Sequence, residues 1–232
     1  VFNKENIMTD KTSDMRFTRK KGLYHHGENR YASVTTVLGC LDKPALNMWK
    51  NKIIFEAAKD GAETFTHANR VVREVSGKAM VLGTDVHKYI ELYFNKERMS
   101  VTPQMKPFID AFHEWVIDFS PKVIHNEITV HNEEYLYAGT ADLVVEIGGK
   151  RIMIDAKTGK GIYSTVELQS TGYMLAYNAL HPEAPVEEIW VLLLEKNRAG
   201  IGTGKYKFKQ LNYVPKVWIA LVRLFFWDKG LS

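Results

Sequence analysis

A single cysteine, Cys40, stands in the 232 residues. One thiol cannot close an internal disulfide, and alone it cannot hold a structural zinc or an iron–sulfur cluster, so a reducing compartment fits the chain best. No stretch approaches the run of about 18 apolar residues that a membrane-spanning helix needs, which points away from an integral membrane protein. Residues 1–21 are polar and mixed in charge and lack the apolar segment of a secretory leader, so the expectation is an intracellular protein. Charge of one sign is scarce too. The formal net charge is +4, too small an excess to argue for a polyanionic partner by itself, and the placement of the charges matters more than their sum.

What is present suits one globular unit: 45% hydrophobic residues and 12% aromatic residues are enough to build a well-packed core in a chain of this length. Residues 1–30, with Arg16, Arg19, Lys20 and Lys21, read as a flexible basic arm or an early hairpin. Residues 31–232 read as one domain, mainly helical over 31–120 and built on a sheet over 121–232. Pro44 sits where a helix could begin. Helical spacing then predicts helices over 62–75, 83–94 and 105–119. After Pro121 the residues turn β-branched and aromatic, predicting strands around 123–130, 135–147 and 151–155. A helix over 166–180, a buried strand over 189–194, an alternating edge strand over 206–211 and an apolar helix over 217–227 complete the order. The fold class is therefore α/β, with a mixed sheet flanked by helices.

Chemistry enters at the pair of strands around Gly148-Gly149. A two-residue glycine turn makes them a hairpin, and positions whose numbers sum to about 297 then face each other, which sets Asp142 opposite Asp155. Two carboxylates at one strand pair repel unless a cation lies between them, and a hard divalent ion with oxygen ligands suits that place. Lys157 follows two residues after Asp155, on the same face by the period of two. Its ammonium there could orient or deprotonate a water, or stabilise charge on a phosphate. Ile152, Met153 and Ile154 form a buried run that emerges into these charged residues, and the mouth of an α/β sheet is where sites usually lie.

Taken in order, four motifs resemble a known family. Gly83-Thr84-Asp85-Val86-His87, with Glu91 one turn later, Gly139-Thr140-Ala141-Asp142, Ile154-Asp155-Ala156-Lys157, and Gln169-Ser170-Thr171-Gly172-Tyr173 are similar to the signature of RecB-like nucleases. These belong to the PD-(D/E)XK, or restriction-endonuclease-like, superfamily. The match spans about 40% of the chain. The resemblance implies a restriction-endonuclease-like mixed central sheet with a helical N-terminal region. It implies metal ligands at His87, Asp142 and Asp155, with the carbonyl of Ala156 as a further one, and a catalytic lysine at Lys157. It places Gln169 and Tyr173 on the helix after the catalytic strand, one turn apart and facing the site. Glu167 is an accessory candidate pointing elsewhere. Many relatives carry four cysteines for an iron–sulfur cluster, and with Cys40 alone that cluster is not expected here. The compact chain is similar to stand-alone exonucleases of phage and of mitochondrial genome maintenance. A bacterial or phage-infected cytoplasm is the first expectation for its location, and an organelle matrix the alternative.

The implied activity is Mg2+- or Mn2+-dependent hydrolysis of DNA phosphodiesters, by an exonuclease acting on single-stranded DNA or free ends. A structure- or site-specific endonuclease on the same fold, or a catalytically silent nucleic-acid-binding protein, are the alternatives, and intact Asp142, Asp155 and Lys157 argue against the last. Three basic sets are candidates for holding a polyanion: the arm at 16–21, the helix with Lys43, Lys50 and Lys52, and the strand with Lys205, Lys207 and Lys209 on one face. A charged edge strand guarded against aggregation explains the last set equally well. Tyr24, Tyr31 and Trp49 are candidates for stacking on unpaired bases, although more than half of such aromatics are expected in the core.

Overall fold

The structure, a computed structural model, describes residues 16–18, 23–26 and 29–230. The basic arm expected at 1–30 lies largely outside them. Its described parts are the short strands β1 (Arg16–Thr18) and β2 (Leu23–His26), which with β3 (Asn29–Ser33) form an antiparallel meander. A one-turn helix α1 (Val34–Val37), capped by the Ser33 hydroxyl at 3.0 Å from the Thr36 amide, follows. Next come α2 (Pro44–Lys59), α3 (Phe65–Phe94) and α4 (Lys106–Phe119), then β4 (Lys122–Asn132), β5 (Tyr137–Ile147) and β6 (Lys150–Gly159). The chain continues with α5 (Ser164–Leu180), β7 (Glu188–Lys196), β8 (Gly202–Gln210) and α6 (Pro215–Asp228).

The helices expected over 62–75 and 83–94 are one uninterrupted α3 of 30 residues. Ser76 and Gly77 between them do not break it. Glycine costs a helix only about 1 kcal/mol relative to alanine. The Ser76 hydroxyl bonds back to the Val72 carbonyl at 2.7 Å, and Lys78, Ala79, Met80 and Leu82 are good helix formers. Gly83 and Thr84 are consequently interior to this helix rather than its start.

All eight strands described join one mixed sheet. The β5–β6 hairpin has the register expected from its turn, with Ile147 opposite Lys150 and Leu143 opposite Ile154. Gly148 and Gly149 both take positive φ, +59° and +81°, as a two-residue hairpin turn requires. β6 runs parallel to β7, and β7 antiparallel to β8. β4 pairs with β5 along its whole length. The other edge of β5 is shared: its C-terminal half pairs with β6, while Tyr137 and Ala138 pair in parallel with Ala32 and Ser33 of β3. The sheet therefore forks between β3 and β6.

Apolar residues fill both faces. Val86 and Ile90 of α3 and Phe108, Phe112 and Trp115 of α4 pack on Leu143, Val145, Ile152 and Ile154. On the other side Tyr173 and Tyr177 of α5 and Trp218 of α6 cover Val144, Met153 and Val191. No helix among the described residues is long and apolar enough to cross a membrane.

Candidate active site

The fork opens at the two aspartates. Leu143–Ile154 is the last pair of the β5–β6 ladder, so Asp142 and Asp155 face each other where the strands part. The Asp142 carboxylate takes up a backbone donor at the opening: its Oδ2 accepts from the Ala156 amide at 2.8 Å. Asp155 is 3% exposed. Its Oδ1 accepts from Lys157 Nζ at 2.6 Å, and its Oδ2 is buried with no hydrogen-bond partner. His87 reaches in from α3, its Nδ1 lying 3.6 Å from Asp142 Oδ1. α3 passes close to the end of β6 at Gly83, where even a Cβ would only touch the Thr158 hydroxyl at 3.4 Å, just beyond Lys157.

The residues gathered within reach of one ion differ from the expected set: Glu127 joins His87 and Asp142, and Asp155 is not in that group. Asn126 and Ile128 of β4 pair with Leu143 and Ala141 of β5, which puts Glu127 across from Asp142. One ligand atom each from His87, Glu127 and Asp142 lies within 4.8 Å of the others. Glu127 has a φ of +52° inside its strand, uncommon for a residue with a side chain. The same place is tied to α3 by Asn126, whose amide donates to the Glu91 carbonyl at 2.8 Å. The Glu91 carboxylate turns instead to Lys88, at 2.7 Å.

Burial and mutual charge decide the protonation of this group. Burial, with the neighbouring Asp142 adding to it, lifts Glu127 to about 7. Burial also lifts Asp155 to about 6, with Lys157 opposing and Asp142 reinforcing. Asp142 is buried as well, but His87, Lys157 and the Ala156 amide outweigh that and hold its pKa below the usual carboxylate range. For Lys157, burial alone would depress the pKa, yet Asp155 and Asp142 raise it, so the group is an ammonium. Burial works against the charged form of His87 too, and the Asp142 carboxylate again reverses the direction. Three carboxylates thus share one lysine and one imidazole, and one carboxylate oxygen has no donor. Hard-cation sites are built from such oxygen-rich donor sets, with an imidazole tolerated. The residues present therefore fit a divalent metal.

Gln169 and Tyr173 come together on α5, the Gln169 amide donating to the Tyr173 hydroxyl at 3.2 Å. Tyr173 is buried, and burial, with Asp155 and Asp142 nearby, raises its pKa. Its ring lies against β5 where Gly139 leaves room: a Cβ there would fall 2.4 Å from Tyr173 Cε1. Glu167 points elsewhere, accepting from the Asn212 side chain at 2.9 Å. Ala156 lies between Asp155 and Lys157, its amide taken by Asp142.

The basic sets separate. Lys205, Lys207 and Lys209 share the exposed face of β8, with Lys207 paired to Glu195 at 2.6 Å. Lys52 is exposed beside Glu56 at 3.7 Å. Arg19, Lys20 and Lys21 lie outside the described residues. Tyr24 and Tyr31, expected as candidates for stacking, are instead buried against Ala138, because the β2–β3 meander lies on the start of β5. Trp49 lines a large groove beside the site.

No family model matches the chain, and no curated protein does. Among solved structures it is similar to SSO0001 at 13% identity and a TM-score of 0.43, over 88% of this chain and 79% of that one. A candidate exonuclease from Eubacterium rectale matches at 11% identity and a TM-score of 0.45, over 65% and 69% of the two chains. The alkaline exonuclease LHK-Exo from Laribacter hongkongensis matches at 9% identity and a TM-score of 0.37, over 86% and 88%. These likenesses are in outline, and the functional reading rests on the site.

Proposed function

We propose that this chain is a RecB-like, metal-dependent nuclease that hydrolyses DNA phosphodiester bonds as an exonuclease at single-stranded or free ends. The observation that carries the reading is the excess of buried carboxylate at the fork, with the Asp155 Oδ2 left without a partner. Asp142, Asp155 and His87 would hold the metal, with Glu127 beside them and the Ala156 carbonyl as a further ligand, Mg2+ or Mn2+ being the ions this set accepts. A divalent ion there supplies Lewis acidity to a phosphate group. Lys157, held as an ammonium, is suited to stabilising negative charge on that phosphate rather than to accepting a proton. Tyr173 stays protonated and can donate to a phosphate oxygen or a water, with Gln169 fixing its hydroxyl.

Purified protein incubated with Mg2+ or Mn2+ should degrade linear DNA and leave covalently closed circles intact, and cutting of closed circles would favour the endonuclease reading. Asp142→Ala and Asp155→Ala should each abolish cleavage while DNA binding persists, because basic side chains rather than the metal carry most of the affinity. Cleavage at near wild-type rate by either purified variant defeats the site assignment.

A further inference from the structure

Between the helical layer and the C-terminal end of the sheet runs a groove of about 1220 Å³. One wall is formed by α2 and α3, with Trp49, Ile53, Val75 and Leu82 facing it; the other by the segments that follow β6 and β7. The groove begins at Thr158, next to Lys157.

Its two walls differ in charge. The sheet-side wall carries Lys160, Lys196 and Arg198 and no acidic residue, whereas the helical wall mixes the groove's three acids, Asp42, Glu56 and Asp60, with Lys43 and Lys78. None of the three sheet-side cations has a carboxylate within ion-pair distance among the described residues, in contrast to Lys157 and Lys207. Lys160 donates to the Arg198 carbonyl at 2.8 Å, and the Lys196 ammonium sits 5.5 Å above the Phe108 ring. Burial, and then the like charge of Lys160, lower the pKa of Lys196. Keeping like charges together without a counter-charge costs free energy, which an anion placed among them relieves.

Lys160 lies three residues beyond Lys157, at most about 10 Å of extended chain. That is within about three stacked nucleotides of the scissile phosphate. The helical wall, where three acids offset Lys43 and Lys78, offers no second uniformly cationic track for a duplex, while Trp49, Ile53, Val75 and Leu82 on it suit bases without partners. We propose that this groove holds the unpaired DNA strand running away from the cut site, with its phosphates on Lys160, Lys196 and Arg198 and its bases against Trp49 and the exposed Tyr163, which lines the groove just before α5. The proposal rests on the nuclease reading for the identity of the strand and supplies its path.

Equilibrium binding of a fluorescent single-stranded oligonucleotide, measured by anisotropy in EDTA over a range of salt, tests it. For single strands each neutralised phosphate contributes a slope of about 0.7 in log K against log salt. The triple variant Lys160→Gln/Lys196→Gln/Arg198→Gln should therefore lose about 2 from the slope, and each single variant about 0.7. The control Lys205→Gln/Lys209→Gln on β8 should lose none. Trp49→Ala should weaken single-strand binding by roughly 5- to 100-fold, the range for one lost base stack, and blunt duplex should bind more weakly than single strand. Circular dichroism confirms folding, and the single variants carry the test if the triple variant does not fold. An unchanged slope in the groove variants, a loss confined to the β8 control, equal binding of duplex and single strand, or no binding by the wild type overturns the proposal. Cleavage by wild type with unchanged slopes defeats the groove alone. The predicted slope loss without any metal-dependent cleavage upholds the groove and defeats the catalytic reading.

Discussion

Replacing Asp155 by Asn tests whether the fork is built for a cation or for stability. Asp155 has an ordinary pKa of 3.8 and lies at about 6 in the folded protein. The folded state therefore holds this proton more tightly than the unfolded chain. Stability from the group is fully present below about pH 3.8 and is lost as pH rises through 6. Each tenfold difference in proton affinity corresponds to about 1.4 kcal/mol, so the ionised carboxylate costs the metal-free protein up to about 3 kcal/mol at pH 8. Asparagine keeps an acceptor for Lys157 without the charge. In EDTA at pH 8, Asp155→Asn should melt higher than wild type by roughly 2–10 °C, taking about 2–4 °C per kcal/mol for a chain of this size. The gap should shrink towards pH 4, where the wild-type carboxyl is itself neutral. Saturating Mg2+ should narrow or reverse it, since only the wild type gains the full stabilisation of a bound ion. Thermal melts followed by circular dichroism at pH 4, 6 and 8, with and without Mg2+, give the answer. A variant less stable than wild type by the same amount at every pH would refute the reasoning and make Asp155 one half of a structural ion pair with Lys157.

His87→Ala should raise the metal concentration needed for half-maximal cleavage, and an unchanged midpoint and rate would return this imidazole to a packing role. Lys157→Met should slow cleavage by at least roughly a hundredfold, the scale of a lost electrostatic contact; a rate within about threefold of wild type, under about 1 kcal/mol on the barrier, would remove Lys157 from the chemistry. Two glycines separate packing from catalysis. Gly172→Ala would place a Cβ 2.7 Å from Trp218 and should cost about 1–3 kcal/mol in urea unfolding while sparing the rate per folded molecule, whereas Gly139→Ala, aimed at the Tyr173 ring at 2.4 Å, should lower that rate as well.

The hairpin was legible because a glycine pair fixes its own arithmetic: once Gly148 and Gly149 make the turn, the facing of Asp142 and Asp155 follows by counting. The pairing of Gln169 with Tyr173 followed from helical spacing in the same local way. Glu127 was not legible by such means. Its place opposite Asp142 depends on the register between β4 and β5, which are joined through Leu136 at a φ of +51° and interrupted by a bulge between Val123 and His125. The four-residue turn at 133–136 that joins them carries no glycine to mark that register in the sequence. A carboxylate in the strand preceding the hairpin was the available signal, and Ile128 and Val130 beside it read as plain core. Tyr24 and Tyr31 fall in the share of these aromatics expected in the core, and which ones would be buried was not legible for a related reason, since the packing of the meander on β5 buries them. The sheet-side cations of the groove come from segments far apart in sequence and meet only through the parallel pairing of β6 with β7.

The continuity of α3 has a mechanical consequence. Val71, Val75, Lys78, Ala79 and Leu82, which line the groove, and His87, at the fork, stand on one continuous helix of about 45 Å. The Ser76-Gly77 pair, with the Ser76 hydroxyl bonded back to the Val72 carbonyl, is a place where such a helix can bend, whereas no proline interrupts it between Lys78 and His87. Displacement of the Lys78–Leu82 part of the groove wall would be carried along the helix to the imidazole, which would link the filling of the groove to the grip on a cation, each altering the other by the same factor.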